Sequence, residues 1–400
     1  MSAHRPEVAD VIRSSGARYE EVYGGSAQQR RILRDLARCR TRALGGHKKK
    51  CDRCGHEEIA YNSCRNRHCP KCRASARAQW LEDQERDLLP VPYFHVVFTL
   101  PEAVGPLALQ NKRLVYGLLF RAVTETLLTI ARDPRHLGAE IGVLAVLHTW
   151  GQNLHHHPHV HCVVPGGGLS PDGRRWVPCR ENFFLPVRVL SRYFRRRFLA
   201  LLEKARNTGK LSFHGSIQPL ADTQNWSRWL LAQRACEWVV YAKPPFGGPQ
   251  QVLKYLARYT HRVAISNQRL LSFENDQVTF LWKDYARANR QSTLTLGGVE
   301  FIRRFLLHAL PKGFQRLRHF GFLANRVRAE KLLLCRKLLG DIHEPDSVDS
   351  SSEAAPGSTA PEPDDLCPEC KVGRMRRIES IAPRSDHELA CAQPVTFDTS

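Results

Sequence analysis

Two histidines in alternate positions of an apolar segment offer the clearest potential for chemistry. His159 and His161 flank Val160 in the run HPHVHCVVP, which has the composition of a buried strand. Alternate residues of a strand share one face, so both imidazoles can bind the same ion. Burying two imidazoles is costly unless their nitrogens find partners, and a metal ion satisfies both. The pattern indicates a metal-ligand pair, with two hydrogen-bonded core histidines as the alternative.

A second group of reactive side chains lies in the run KYLARYTHR. On the helix that this run predicts, Tyr255 and Tyr259 are four residues apart and share a face. A tyrosine that attacks a phosphodiester conserves the energy of the broken bond in a phosphotyrosine linkage, so two tyrosines allow two strand transfers. Lys254, Arg258 and Arg262 favour a phosphate beside them. The alternative is an ordinary core stripe with Tyr255 at its edge.

Paired cysteines predict a structural zinc site. Cys51 and Cys54 form one C-x-x-C pair, and Cys69 and Cys72 form a second after an interval of fourteen residues. Each pair can direct two thiolates toward one ion, which gives the tetrahedral set that Zn²⁺ prefers. Cys64 and His68 lie within the same segment and could replace one of these ligands or form part of a second site, so the exact four ligands stay open.

Positive charge surrounds this cysteine-rich segment and extends over the whole chain. The formal net charge is +21 and the sequence pI is about 9.8, which indicates a polyanionic partner. Arg65, Arg67 and Lys71 predict a nucleic-acid contact surface on the zinc module. The alternative is a ribbon that only stabilises the fold while its charges are solvated.

The remaining cysteines fall into two groups. Cys367 and Cys370 form half of a site, which Cys391 with His387, another subunit or nothing could complete. Isolated cysteines in apolar or mixed surroundings are predicted to be buried small residues: Cys39, Cys162, Cys179, Cys236 and Cys335.

Hydrophobic periodicity and composition divide the chain into six parts. These are a helical segment at 1–45, a zinc ribbon at 46–79, a catalytic domain at 80–285, a basic helical region at 286–340, a disordered acidic linker at 341–365, and a tail at 366–400. Strands are predicted at 93–100, 141–149, 158–164, 238–241, 270–273 and 278–282, and helices at 28–44, 106–131, 189–205, 298–310 and 322–339. No apolar run reaches the roughly 20 residues of a membrane helix, so we expect a cytoplasmic protein with no membrane partner.

Together these motifs resemble a known family. The His159-Val160-His161 motif and the tyrosine run resemble the HUH endonucleases, and more narrowly the two-tyrosine rolling-circle transposases of the insertion-sequence-91 type. The resemblance covers residues 51 to about 339. It also rests on Tyr61 to Cys72, on Phe98-Thr99-Leu100-Pro101 and on His148-Thr149-Trp150-Gly151.

The resemblance implies a fold, a cofactor and a partner. The fold would be α+β, with an antiparallel sheet flanked by helices. A divalent cation, Mg²⁺ or Mn²⁺, would act on single-stranded DNA at insertion-sequence ends and targets, in a bacterial, nucleoid-associated protein, with Tyr255 and Tyr259 each cleaving and joining strands. Such sites usually add a third protein ligand, for which His148 is preferred while Gln152 and Glu102 stay open. The neighbouring His155, His156 and His157 would be solvated or contact phosphate.

Three other functions compete with this interpretation. A plasmid or phage replication initiator would use the same residues for nicking, although the leading ribbon favours a transposase. A histidine-triad nucleotide hydrolase would use His157, His159 and His161, but Pro158 disturbs that strand. A non-catalytic zinc-ribbon DNA-binding regulator would form no covalent DNA adduct.

Overall fold

The computed structural model describes residues 5–72, 87–243, 264–284, 290–340 and 366–384. The helices are α1 (Val8–Tyr23), α2 (Ala27–Arg38), α3 (Gly105–Gln110), α4 (Lys112–Arg132), α5 (Val187–Asn207), α6 (Thr223–Ala235), α7 (Gly298–Leu307) and α8 (Arg328–Leu338). The strands are β1 (Gly46–Cys51), β2 (Glu57–Tyr61), β3 (Tyr93–Thr99), β4 (Gly142–Trp150), β5 (His156–Pro165), β6 (Gly167–Leu169), β7 (Trp176–Pro178), β8 (Val240–Lys243), β9 (Leu270–Glu274), β10 (Gln277–Asp284), β11 (Arg290–Gly297), β12 (Leu317–Gly321) and β13 (Met375–Ile381).

The central element is a five-stranded antiparallel sheet with the order β12-β4-β5-β3-β8. Every residue of β4 is buried, and so are the last six residues of β5, because both faces of the sheet are covered there. The predicted antiparallel sheet flanked by helices, and with it the α+β class, is confirmed.

The two faces of this sheet differ in chemistry. One face presents residues such as Val96, Phe98 and Val160 to α4 and α5, and forms the largest hydrophobic core. Helix α4 has the length and apolar composition of a membrane span, but 61% of its most apolar window is buried inside the fold, as in a core helix. The opposite face carries histidines at one end, while Leu332 and Cys335 of α8 cover Leu144 and Val163 at the other.

A second core joins the N-terminal helices to a three-stranded sheet of order β11-β10-β9. Helix α2 starts with a capping box, in which Ser26 and Gln29 exchange side-chain-to-backbone hydrogen bonds. Helix α1 packs against α7, and the Ser15 hydroxyl donates to the Asp276 carboxylate over 2.6 Å. A third sheet, of order β13-β1-β2, pairs the N-terminal ribbon with the C-terminal segment.

Several elements were not predicted from the sequence. Helix α1 is one of them. Strands β11 and β12 are two others, and both lie in the region 286–340 that was predicted to be basic and helical. Strand β12 lies at the edge of the central sheet, where polar residues are tolerated, and the Arg318 guanidinium covers the Phe120 ring at 4.3 Å. The last predicted helix begins later than expected, at Arg328.

Buried neutral histidines make the stability of the fold pH-dependent. The His308 Nε2–H donates to the Leu154 carbonyl over 3.1 Å, and the Thr149 hydroxyl donates to its Nδ1 over 3.3 Å. Burial lowers the pKa of His308 to about 3. The unfolded chain therefore takes up the proton first, so this contribution is complete above about pH 6.5 and is lost as the pH falls toward the folded-state pKa.

We therefore expect H308Q to be less sensitive to acid than the wild-type protein. Between pH 7 and pH 5 the wild type should lose about 2 kcal/mol more unfolding free energy than H308Q. Urea unfolding at both pH values measures this difference. H214Q, at an exposed histidine, is the matched control and should follow the wild type. An equal loss in H308Q and wild type would contradict the prediction.

Candidate functional site

Three histidines converge on the polar end of the central sheet. In the β4–β5 register His148 lies opposite His159, and Val146 lies opposite His161, so all three imidazoles share one face. The centroid of the His161 ring is 4.5 Å from that of His148 and 4.8 Å from that of His159. One nitrogen of each ring lies within 4.8 Å of the others, close enough for a common metal ion.

Of the other candidate ligands, Glu102 lies outside this group. Gln152 is in the turn after β4, where its backbone carbonyl accepts from the Arg269 guanidinium. Glu102 is exposed in the short helical turn Glu102–Val104. His148, the preferred third candidate, lies beside His159 and His161.

Hydrogen bonds orient the histidine rings. The Nδ1–H of His159 donates to the His157 carbonyl over 2.6 Å, which leaves the Nε2 lone pair of His159 available. His161 Nδ1 lies 2.8 Å from His95 Nε2, and the planes of the two rings are nearly parallel, at 7°. Burial lowers the pKa of His159 to about 4, so its imidazole is neutral at physiological pH, as a metal ligand must be.

His95 is a site residue that the sequence does not predict. It lies on β3 opposite Val163 and on the same face as His161. Burial, and then the charge of Lys243, lowers its pKa to about 4. Its signal in the sequence was a single histidine within an apolar strand, which on its own does not indicate a site.

The histidines before the metal-ligand pair have separate contacts. Nε2 of His156 accepts from the Tyr116 hydroxyl over 2.8 Å, and burial lowers the pKa of His156 to about 3. His156 therefore packs against the core, whereas the prediction was that it is solvated or contacts phosphate. His155 is exposed, and its Nε2 lies 3.2 Å from the Arg304 guanidinium.

The cysteines form two clusters, which corrects the single predicted zinc site. The first cluster consists of Cys39, Cys64, Cys69 and Cys72, and the second cluster consists of Cys51, Cys54, Cys367 and Cys370. The reason is that the two C-x-x-C pairs lie at opposite ends of the β1–β2 hairpin. Strand β2, with five residues, spans about 17 Å, which is too far for one ion to bridge. His68 is in neither cluster.

The first cluster is completed by Cys39, which the sequence predicts to be only a buried small residue. Cys39 caps the C-terminal end of α2, and its Sγ lies 3.4 Å from the Sγ atoms of both Cys69 and Cys72. The Cys64 Sγ lies 3.6 Å from that of Cys72. Four thiolates around Zn²⁺, with Zn–S bonds of about 2.3 Å, would lie about 3.8 Å apart, so the donor set fits zinc.

The second cluster has the same chemistry. The Sγ atoms of Cys51 and Cys370 are 3.7 Å apart, and those of Cys54 and Cys367 are 3.6 Å apart. Backbone N–H groups, led by that of Gly373, hold the pKa of the Cys370 thiol down to about 6. The half site predicted at Cys367 and Cys370 is thus completed by the N-terminal ribbon, whereas Cys391 and His387 lie outside the described residues.

The predicted DNA contacts around the ribbon have different environments. Arg65 is exposed. Arg67 is half-buried and its guanidinium donates to the Phe314 carbonyl over 2.9 Å, while Lys71 forms an ion pair with Glu7. Two of these three cationic side chains, Arg67 and Lys71, therefore have partners within the protein. Tyr255, Tyr259, Lys254, Arg258 and Arg262 lie outside the described residues.

A further basic surface lies on the outer side of α5. Arg192, Arg195 and Arg196 line a groove there together with Arg234 of α6. The Arg196 guanidinium stacks on the Tyr193 ring at 5.2 Å. Because α5 covers the core face of the central sheet, this groove and the histidines lie on opposite sides of that sheet. Guanidinium and aromatic groups together are suited to a nucleic acid.

The sequence is similar to two protein families and to two named bacterial proteins. Residues 142–331 match the family described as "Putative transposase", and residues 11–100 match the family described as "Transposase zinc-binding domain". The chain is 57% identical over 388 residues to "Putative transposase y4qJ" of Sinorhizobium fredii strain NGR234, covering 95% of this chain and 96% of that protein. It is 33% identical over 301 residues to "Transposase for insertion sequence element IS801" of Pseudomonas savastanoi pv. phaseolicola, covering 74% of this chain and 70% of that protein.

The contrast between Arg67 and Arg65 gives a prediction about stability. Arg67→Ala removes a half-buried cation and leaves the Phe314 carbonyl without its donor, so we expect the unfolding free energy to fall by about 1–3 kcal/mol. Arg65→Ala should change it by less than about 0.5 kcal/mol. Urea unfolding measures both. Equal stability of the two variants would show that the contact of Arg67 does not support the fold.

Proposed function

Because this chain belongs to the insertion-sequence-91 family of transposases, we propose that it nicks and rejoins single-stranded DNA at the ends of its element. The proposed intermediate is a 5'-phosphotyrosine formed by Tyr255 or Tyr259, beside a divalent metal held by His148, His159 and His161. The observation that carries the proposal is the convergence of these three imidazoles on one face of the central sheet.

Strand β8 is the last described element before the segment that contains the tyrosines. Strand β8 ends at Lys243, opposite His95 on β3, and the next described residue is Ala264. Tyr241 of β8 and His161 of β5 both lie opposite Val97. Tyr241 therefore shares the histidine-bearing face of the sheet, while both predicted nucleophiles follow β8 in the chain and lie outside the described residues.

The protein's own groups would prepare the site for this chemistry. The His157 carbonyl fixes the tautomer of His159, and His95 can accept the Nδ1–H of His161, so that Nε2 of each ligand stays available. When bound, Mg²⁺ or Mn²⁺ would polarise and orient the scissile phosphate.

The strand transfer needs no other reactant. A phenolic oxygen attacks the phosphorus, and the bond from phosphorus to the 3' oxygen breaks. The phenol loses one proton and the leaving oxygen gains one, which gives a free 3' hydroxyl. Because the aryl phosphodiester keeps the energy of the broken bond, attack by another 3' hydroxyl can rejoin the strand. A second tyrosine allows a second transfer before the first linkage is resolved.

The membership of the family favours a transposase over a replication initiator, which would carry out the same nicking chemistry at an origin. A non-catalytic DNA-binding regulator differs more sharply, because it forms no covalent DNA adduct. Detection of the adduct is thus the experiment that separates a nicking enzyme from a regulator.

We expect a covalent adduct when the protein is incubated with Mn²⁺ and single-stranded oligonucleotides that carry the ends of its element. The 5'-phosphorylated fragment should stay with the protein in denaturing gels. Y255F/Y259F should abolish the adduct, because neither hydroxyl remains. Y241F, at an exposed tyrosine on the histidine-bearing face, is the matched control and should keep it. An adduct that survives Y255F/Y259F and disappears in Y241F would assign the nucleophile to Tyr241.

The metal site gives a separate prediction. H148A, H159A and H161A should each lower DNA cleavage by about 100-fold or more, since each removes a ligand that orients the phosphate. Mn²⁺ binding, measured calorimetrically without DNA, should weaken in the same variants. Binding of single-stranded DNA should change little. Normal cleavage in all three variants would rule out this metal site.

Replacement of His95 tests its role as a positioning residue. H95F should weaken Mn²⁺ binding by about 10- to 100-fold, because Nδ1 of His161 loses its partner. H95Q restores a side-chain acceptor and should recover part of that affinity. Equal Mn²⁺ affinity in H95F and wild type would show that His95 only fills the core.

A further inference from the structure

The second cysteine cluster joins parts of the chain that are far apart in sequence. Cys51 ends β1 and Cys54 lies in the turn that follows, whereas Cys367 and Cys370 belong to the C-terminal segment. Their Sγ atoms lie in one group, with distances of 3.7 Å and 3.6 Å between partners from the two ends. The match to the transposase zinc-binding domain stops at residue 100 and so does not include the C-terminal pair.

We propose that Cys51, Cys54, Cys367 and Cys370 hold a second structural zinc ion, which fastens the C-terminal segment 366–384 to the N-terminal ribbon. This ion is additional to the one that Cys39, Cys64, Cys69 and Cys72 can hold. The proposal does not depend on the DNA chemistry above.

The donor geometry favours a metal ion over a disulfide or a simple thiol cluster. The Sγ separations are close to the roughly 3.8 Å of a tetrahedral zinc–thiolate site and far from the roughly 2.05 Å of a disulfide. Sγ of Cys51 accepts from the backbone N–H groups of Arg53 and Cys54, each over 3.4 Å. Sγ of Cys370 accepts from the Gly373 N–H over 3.3 Å. Such N–H groups stabilise thiolates, the form that binds zinc.

The backbone around the second cluster brings the N-terminal ribbon and the C-terminal segment into close contact. A Cβ at Gly373 would lie 2.5 Å from the Cys51 Sγ and 2.7 Å from the Arg53 Cβ, so a side chain there would displace a ligand. The Asp52 N–H donates to the Arg374 carbonyl over 3.0 Å, and the Arg374 N–H donates to the Asp52 carboxylate over 2.8 Å. These contacts join the turn that holds Cys51 and Cys54 directly to the turn after Cys370.

The hydrophobic core of the β13-β1-β2 sheet is too small to hold the N-terminal ribbon and the C-terminal segment together on its own. Its buried residues are Cys51, Cys367 and Met375, with Cys370 packed against them. Strand β13 pairs with β1 over the length of β1, but its other edge has no partner strand among the described residues. Small modules with little apolar burial depend on metals or disulfides for stability. A zinc ion supplies that stabilisation.

Zinc content tests the proposal. The full chain, purified and freed of loosely bound metal, should contain two zinc ions by native mass spectrometry and elemental analysis. C367S/C370S should contain one, and C64S/C72S should also contain one. C236S, at an exposed cysteine outside both clusters, should retain two. Two zinc ions in C367S/C370S, one in the wild type, or iron in place of zinc would overturn the proposal.

A measurement on the unaltered protein avoids the question of whether the variants fold. Cys54 is exposed and, without a metal, should react with iodoacetamide as fast as the exposed Cys236. Zinc should slow alkylation of Cys54 and Cys370 by about tenfold or more, and a chelator should remove this protection. Peptide mass mapping over time gives both rates. Alkylation of Cys54 at the rate of Cys236 in zinc-loaded protein would contradict the proposal.

Discussion

The register of the β4–β5 pair is the constraint on which the site depends. It sets His148 opposite His159, and it sends Val160 and Cys162 to the core face. A slip by one residue would exchange the two faces, burying imidazoles among apolar side chains and placing Val160 where a ligand is needed. The large core under α4 and α5 therefore selects the register that assembles the histidines. Packing on one face of the sheet and chemistry on the other are two results of the same pairing.

The polar face is stable because its buried imidazoles have defined partners. His159 bonds to a backbone carbonyl, His161 faces His95, and His308 bonds to Leu154 in the β4–β5 turn. Since burial lowers the pKa of His95, His159 and His308 and keeps these three rings neutral, their lone pairs stay available as acceptors or ligands. The network also links α7, which His308 follows directly, to the strands that carry the site. The bonds of His308 to Leu154 and Thr149 thus connect the end of α7 to β4 and to the turn after it.

The sequence predicts what is local and misses what depends on distant partners. Strands β4 and β5 are apparent from their apolar runs, and His159 with His161 from alternation. His95 and Cys39 are isolated in sequence and join their groups only through folding. The zinc ligands were paired wrongly because spacing identifies each C-x-x-C pair, while the β1–β2 hairpin decides which pairs can meet. The tyrosine assignment stays a prediction, since that segment lies outside the described residues.

The two cysteine clusters differ in what surrounds them, and this difference separates their effects on the site. Cys39 and Cys69 belong to the same hydrophobic core as Trp150 and Leu154, at the end of β4 and in the β4–β5 turn. Loss of zinc from the first cluster would therefore loosen the core that supports the histidines. The second cluster has a small core of its own, with Cys51, Cys367 and Met375. Its loss would release the C-terminal segment while the β4–β5 register, and with it the histidine site, remains intact.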